Sequence, residues 1–402
     1  MSELSINKIK PVTSNTVVFG NSGDTIYLAT GATAVGFGDT SVIEDPNDPA
    51  IDTNPDDGVG TLWLNTTNGC LFSCIDATTD DNVWINTANC IDANIGSFHG
   101  TGRIAGYTMG GTEVGGQTSE IIEKHSFTSD GDATDVGDLS LPKGHASGQS
   151  SSTDGYYSGG SSTGETTTST TAIEKHSFTS DNDSALTSDL LIARSFPSGQ
   201  SSKTHGYVSG GFFTQSQPTI NKFLFSSESN VSNIGNMFQS RHATAGTNSS
   251  THGYTTGGIT NPPTVYRNTR EKFSFSSDGD AVEAGNDLIA RTAIAGVSSS
   301  TDGYICGGFD ETIFRTNITK HSFSSDNIVI EHGDILHGAG NVSEAGHGQV
   351  GTSSTTHGYI AGSINPTIAL DYIDKFSYAS GGNTTDVGVL QLPRNYCSGA
   401  QV

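Results

Sequence analysis

Short stretches in which apolar and polar residues alternate, broken by Gly, Asn and Asp, run along this chain and predict strands. From about residue 95 they fall into one repeating pattern. Gly-Tyr-x-x-Gly-Gly occurs as GYTMGG at 106, GYYSGG at 155, GYVSGG at 206, GYTTGG at 253 and GYICGG at 303, with a variant GYIAGS at 358, so that the starts lie 47 to 55 residues apart. After each comes a loop and then a strand, which places Lys124, Lys175, Lys222, Lys272, Lys320 and Lys375 at one equivalent position. Phe127, Phe178, Phe225, Phe275, Phe323 and Tyr378 occupy another. A third element closes each unit: LSLPKGHASGQ, DLLIARSFPSGQ, MFQSRHATAGT, LIARTAIAGV, the longer ILHGAGNVSEAGHGQV, and LQLPRNYCSGAQV.

Six copies with a period near fifty and several short strands per unit predict a six-bladed β-propeller over 95–402, in which each blade buries its faces against its neighbours. The first Gly-Tyr strand lacks a full preceding element and the last element has no Gly-Tyr strand after it. Joined, the two make one composite blade and remove the exposed edges. Upstream, 1–42 reads as a small β anchor. Residues 43–58 hold six acidic residues with Pro46, Pro49 and Pro55 and read as a linker, while 59–94 reads as a β-hairpin module turning at Asn68-Gly69 around Trp63 and Trp84. The expected fold class is all-β throughout.

Composition supports turn-rich β architecture, with 51 Gly in 402 residues and only 33% hydrophobic positions. A formal charge of −24 argues against nucleic acid and anionic membrane surfaces as partners. MSELSINKIK lacks a signal-peptide core and no run approaches eighteen apolar residues, so neither secretion by that route nor a membrane span is expected, and synthesis is placed in a cytoplasm. Cys70, Cys74 and Cys90 have no nearby His that completes a zinc spacing and are read as reduced thiols, although a bridge or metal is compatible with their spacing.

The Arg-containing segment (Arg194, Arg241, Arg291, Arg394), the Gly-Tyr strand, the Gly-Gly pair and the later aromatic strand resemble the kelch repeat family in order, over about 300 residues. The last-strand tryptophan usual in that family is absent, Lys143 replaces one Arg, and Ala361-Gly362 replaces one Gly-Gly. The resemblance implies the fold and no particular function. The opening SELSINKIKPVTSNTVVFGNSGDTIYLATGAT and the GTLWLNTTNG hairpin resemble the start of bacteriophage fibres and other virion appendage proteins, notably of marine phages. That resemblance implies a homotrimeric structural protein of the virion, held by its N-terminal region to other virion proteins, with a knob for a host-surface glycan or protein.

Searches for a P-loop, a dinucleotide fingerprint, HExxH and GxSxG find nothing, and no catalytic residues, cofactor or metal site are expected. His205, His252 and His357 interchange with Asp154 and Asp302 before the Gly-Tyr pairs, which marks a turn. Asp130, Asp132, Asp135 and Asp138 likewise read as a polar turn, and the equivalent lysines as stems covering blade surface. The connection after Gly-Gly differs most between copies. There Phe213, Tyr266, Arg267, Phe314 and Arg315 are the candidate receptor-binding residues, since aromatic and Arg side chains anchor interfaces. A virion decoration protein without receptor binding and a glycan depolymerase are the alternative functions.

Overall fold

A computed structural model describes residues 42–50, 52–66, 70–79, 82–86, 102, 104–163, 168–227, 231–326, 328–337, 346–365 and 368–402. Among them the regular structure is all-β: small sheets of short strands and no α-helix. No helix among them is long and apolar enough to cross a membrane. The chain divides into two compact units, Met1–Gly96 and Ser97–Val402. The expected anchor over 1–41, the Asn68-Gly69 turn and Cys90 lie outside the described residues.

In the first unit Val42–Asp45, Leu62–Asn65, Leu71–Asp76 and Val83–Asn86 form one sheet in chain order, the first pair parallel and the others antiparallel. Trp63 and Trp84 meet edge to face at 5.9 Å and close a small core with Phe72, Cys70 and Cys74. The segment 43–58 is not a free linker. Its first residues pair with Leu62–Asn65, and beyond them the Trp63 indole donates to Asn47 O (2.9 Å) and the Asn65 amide to Asp48 (2.6 Å). Pro46, Pro49 and Pro55 forbid ladder bonds only at their own positions, so the four residues before them remain able to pair.

The second unit holds six four-stranded antiparallel sheets. Sheet I is composite, with Ser398–Gln401 as its first strand followed by Ala105–Met109, Ile121–Ser126 and Thr134–Asp138. Sheet II runs Ser147–Ser150, Asp154–Ser158, Ala172–Ser177, Ala185–Asp189, and sheet III Ser198–Ser201, His205–Ser209, Thr219–Leu224, Ser232–Asn236. Sheet IV is Ala245–Asn248, His252–Thr256, Thr269–Ser274, Val282–Asn286, and sheet V is Ala295–Ser298, Asp302–Cys306, Asn317–Ser322, Val329–Asp334. Sheet VI is Val350–Ser353, His357–Ile364, Ala369–Ser377, Thr385–Val389.

The first strands approach so closely that each carries a glycine. A Cβ on Gly148 would lie 1.9 Å from Gly399 O, and one on Gly199 would lie 2.1 Å from Gly148 O. The same contact joins Gly246 to Gly199, Gly296 to Gly246, Gly351 to Gly296 and Gly399 to Gly351. Only a residue without a side chain fits.

Further out, the Gly-Tyr tyrosine of each sheet stacks on the aromatic residue of the next: Tyr107 on Phe178 (4.7 Å), Tyr156 on Phe225 (4.9 Å), Tyr207 on Phe275 (4.8 Å), Tyr254 on Phe323 (5.0 Å), Tyr304 on Tyr378 (5.0 Å) and Tyr359 on Phe127 (4.8 Å). Each such pair adds about 0.5–1.5 kcal/mol beyond its buried area. Lys124, Lys222, Lys272 and Lys375 reach Asp181 (2.8 Å), Asp278 (2.5 Å), Asp326 (2.6 Å) and Asp130 (2.5 Å) of the following sheet, while Lys320 pairs with Asp302 (3.1 Å) of its own.

Buried cations tie the third element of one sheet to the next. Arg194, Arg241, Arg291 and Arg394 are fully buried and donate to the first glycine carbonyl of each pair, at Gly210, Gly257, Gly307 and Gly110. Arg241 also binds Glu271, Arg394 binds Glu123, and Lys143 binds Glu174, whereas Arg194 faces Asn221. In the copy that lacks the Arg, His337 takes Asp374 (2.8 Å).

Candidate functional site

At one end of the unit the residue after each Gly-Gly pairs with the third element: Ser161 with Gly144, Phe212 with Ser195, Ile259 with His242, Phe309 with Thr292, Thr112 with Asn395, and Ile364 with His347 in the variant copy, where the pair is Gly362-Ser363 and not Ala361-Gly362. The variable loops and the third elements therefore share this end.

The residue after each of those third-element positions bends into the left-handed region: His145 (φ 61°), Phe196 (55°), Ala243 (52°), Ala293 (53°), Gly348 (71°) and Tyr396 (51°). For the five with a side chain this costs roughly 1–2 kcal/mol each. The bend aims each amide at the preceding carbonyl, and the bonds run Phe196 to His145 (2.7 Å), Ala243 to Phe196 (2.9 Å), Ala293 to Ala243 (2.9 Å), Gly348 to Ala293 (2.9 Å), Tyr396 to Gly348 (2.7 Å) and His145 to Tyr396 (3.0 Å). Six residues thus close a cycle of backbone hydrogen bonds, each contributing about 0.5–1.5 kcal/mol.

This rosette is lopsided. His145, Phe196 and Tyr396 gather on one side, with centroids 4.1 Å (His145 to Phe196), 4.5 Å (His145 to Tyr396) and 5.4 Å (Phe196 to Tyr396) apart. Ala243, Ala293 and Gly348 make the other side, and between the halves lies a recess of about 80 Å³, also lined by Thr244 and Gln349. A larger cavity of about 150 Å³ lies among the first strands themselves and is lined mainly by Ser, Gly and Gln.

The aromatic half extends outward in both directions. Phe196 contacts His242 (6.1 Å), which contacts Phe212 (4.9 Å). On the other side Tyr396 contacts His347 (5.7 Å), which stacks on Phe314 (5.0 Å, 10° between planes). Phe314 meets Phe309 (5.2 Å), and Phe309 meets Tyr266 (6.0 Å). Nine rings form one continuous arc across this end.

Burial pushes His145 down to about 3 and His242 and His347 to about 4, so all three are neutral at pH 7. Burial also raises the Tyr266 hydroxyl, helped by the nearby Glu311 and Asp310 carboxylates.

Of the five residues singled out in the sequence, Tyr266 and Phe314 belong to this arc. Phe213 is exposed (40%) beside Phe212. Arg315 is held within its own loop by Asp310, and the Arg267 amide donates to Gly258 O (2.9 Å). Sequence reading missed His145, Phe196, Phe212, His242, Phe309, His347 and Tyr396. A signal was present: in the third element the position two after Arg or Lys reads His, Phe, Ala, Ala and Tyr while its surroundings repeat.

At the turn before each Gly-Tyr pair, Ser151 Oγ accepts the Asp154 amide (2.9 Å) and Ser202 Oγ the His205 amide (3.0 Å). The Thr153 hydroxyl donates to Asp154 (2.6 Å), and Thr204 Oγ1 lies 2.8 Å from His205 Nδ1. Asp and His interchange because each places a hydrogen-bonding side-chain atom against the preceding threonine hydroxyl. Among the described residues no group of three or more His, Cys, Asp or Glu is placed to hold a metal ion.

No family model matches the sequence, and no curated protein matches it. Among solved structures the chain is similar to one described as "Structure of YjhT", at 11% identity and a TM-score of 0.53, over 65% of this chain and 88% of that one, a likeness of fold alone.

Proposed function

We propose that the second unit is a six-bladed, kelch-like β-propeller and that the chain is a bacteriophage virion appendage protein, a fibre or related structure, whose propeller is a knob for a host-surface receptor. The propeller reading is supported by six sheets of one topology, by glycine contacts and aromatic stacks that return from sheet VI to sheet I, and by the strand that the end of the chain lends to sheet I. The phage assignment rests on the resemblance of the first residues and the hairpin module to virion appendage proteins, from which a homotrimer follows by analogy.

One observation carries the binding role: the nine-ring arc lies at the end where the six copies differ most. A repeat kept for packing alone has no need to vary its loops there and line them with aromatic residues. Full-length protein added to host cells before the phage is expected to slow adsorption in proportion to occupancy, and labelled antibody is expected to mark an appendage on intact virions. Unchanged adsorption at saturating protein refutes the receptor-binding role.

A further inference from the structure

The geometry points to a neutral glycan as the occupant of this end, its terminal sugar in the recess of the rosette and the following sugars along the aromatic arc. This inference rests on the receptor-binding reading and narrows it.

Phe196 and Tyr396 stand at 90° to each other and form two walls of a corner, with Ala293 and Gly348 opposite. Such a corner takes the apolar C–H face of a sugar on one ring and its edge on the other. Two polar residues, Thr244 and Gln349, are among those that line the recess. Thr244 lines the recess, and its buried hydroxyl has no hydrogen-bond partner among the described residues. At about 30 Å³ of liquid per water, a recess of about 80 Å³ has room for roughly three waters, the scale of one inserted edge of a sugar ring and not of a folded peptide segment.

Charge selects among glycans. The chain carries −24, Arg315 is neutralised by Asp310, the buried histidines of the arc are uncharged, and Arg267 is left as a single loop cation with no ion pair among the described residues. Asp310 and Glu311 act on Tyr266 at the outer end of the arc. A sialylated, sulfated or phosphorylated chain meets repulsion here and a neutral one does not.

The test is binding of the full-length protein to an array of neutral oligosaccharides (hexose and N-acetylhexosamine chains) beside anionic ones, with Ala293→Phe as the deciding variant. Phe196 and Tyr396 already occupy the equivalent left-handed position in two other copies, so the backbone accepts an aromatic residue there, and the new ring fills the recess. Binding to neutral chains is expected, weakened roughly tenfold or more in Ala293→Phe while its thermal unfolding stays that of the parent. Should that variant unfold, Phe213→Ala, on an exposed side chain, replaces it with a smaller expected loss. Binding only to anionic chains, binding to none, or neutral-chain binding unaffected by the substitutions overturns the inference. Adsorption blocking is scored separately: blocking without neutral-glycan binding leaves the receptor role standing and removes this inference alone.

Discussion

Glu123 and Arg394 lie 271 residues apart in sequence and form a fully buried ion pair (2.5 Å), and Arg394 also donates to Gly110 O and Ile121 O, both at 2.8 Å. This pair latches the last element of the chain onto sheet I. Replacing Glu123 with Leu leaves a guanidinium with no solvent and no counter-charge, a change that costs about 3–5 kcal/mol. Replacing both, as Glu123→Leu with Arg394→Met, removes the stranded charge and is expected to recover most of the loss. Glu123→Asn should fall between, because Arg194 is held by Asn221 at 3.0 Å in sheet III. Urea unfolding followed by tryptophan-independent far-ultraviolet circular dichroism reads the second unit. With a slope near 3 kcal/mol per molar, the single Leu variant should shift the midpoint down by roughly 1–1.7 M. A loss below about 1 kcal/mol for Glu123→Leu, or a double variant no better than the single, refutes the latch.

Gly246→Ala places a Cβ 2.2 Å from Gly199 O where about 3.4 Å is ordinary contact, so neighbouring first strands must separate; a loss of at least about 1–3 kcal/mol is expected, and a midpoint in urea equal to the parent's would contradict the close packing. Deleting 393–402 removes Arg394, the buried Ala400 and the strand Ser398–Gln401, exposes Ala105–Met109 as an edge, and should yield aggregates by light scattering; a soluble, cooperatively unfolding product would count against closure. Lys375→Ala, removing an ion pair to the 55% exposed Asp130, should cost less than about 1 kcal/mol by the same unfolding assay. Because His145, His242 and His347 have folded pKa values of about 3 to 4 against 6.5 unfolded, the unfolded chain takes up protons first as pH falls. Stability from these groups is present in full above pH 6.5 and is lost progressively between pH 6.5 and about 3, by several kcal/mol in total. A flat melting temperature across that window would show that these side chains are not buried as described.

The all-β class and the six-fold recurrence of strands were legible in the sequence because strand pairing and tight packing demand the same residue types each time. Tyr must stack, Gly must let first strands touch, and Arg must reach the Gly-Gly carbonyls, so each recurs near every fifty residues. Even the partners of the chain ends could be inferred, since an unpaired strand at each end supplies what the other lacks. The segment over 43–58 was misread where proline composition outweighed the strand before it.

Only the tertiary structure decided which loop residues meet. Tyr266 and Phe314 are 48 positions apart and come together through Phe309, whereas Arg315, chosen in the sequence on equal terms with its neighbour, is consumed by Asp310. The rosette was hidden for the same reason. His145, Phe196 and Tyr396 sit in three different repeats, each a lone deviation within its own copy, and they become one cluster only when left-handed backbone turns bring six third elements into a single cycle of hydrogen bonds. Repetition is a local property that sequence records, but convergence of non-repeating positions depends on the path of the whole chain.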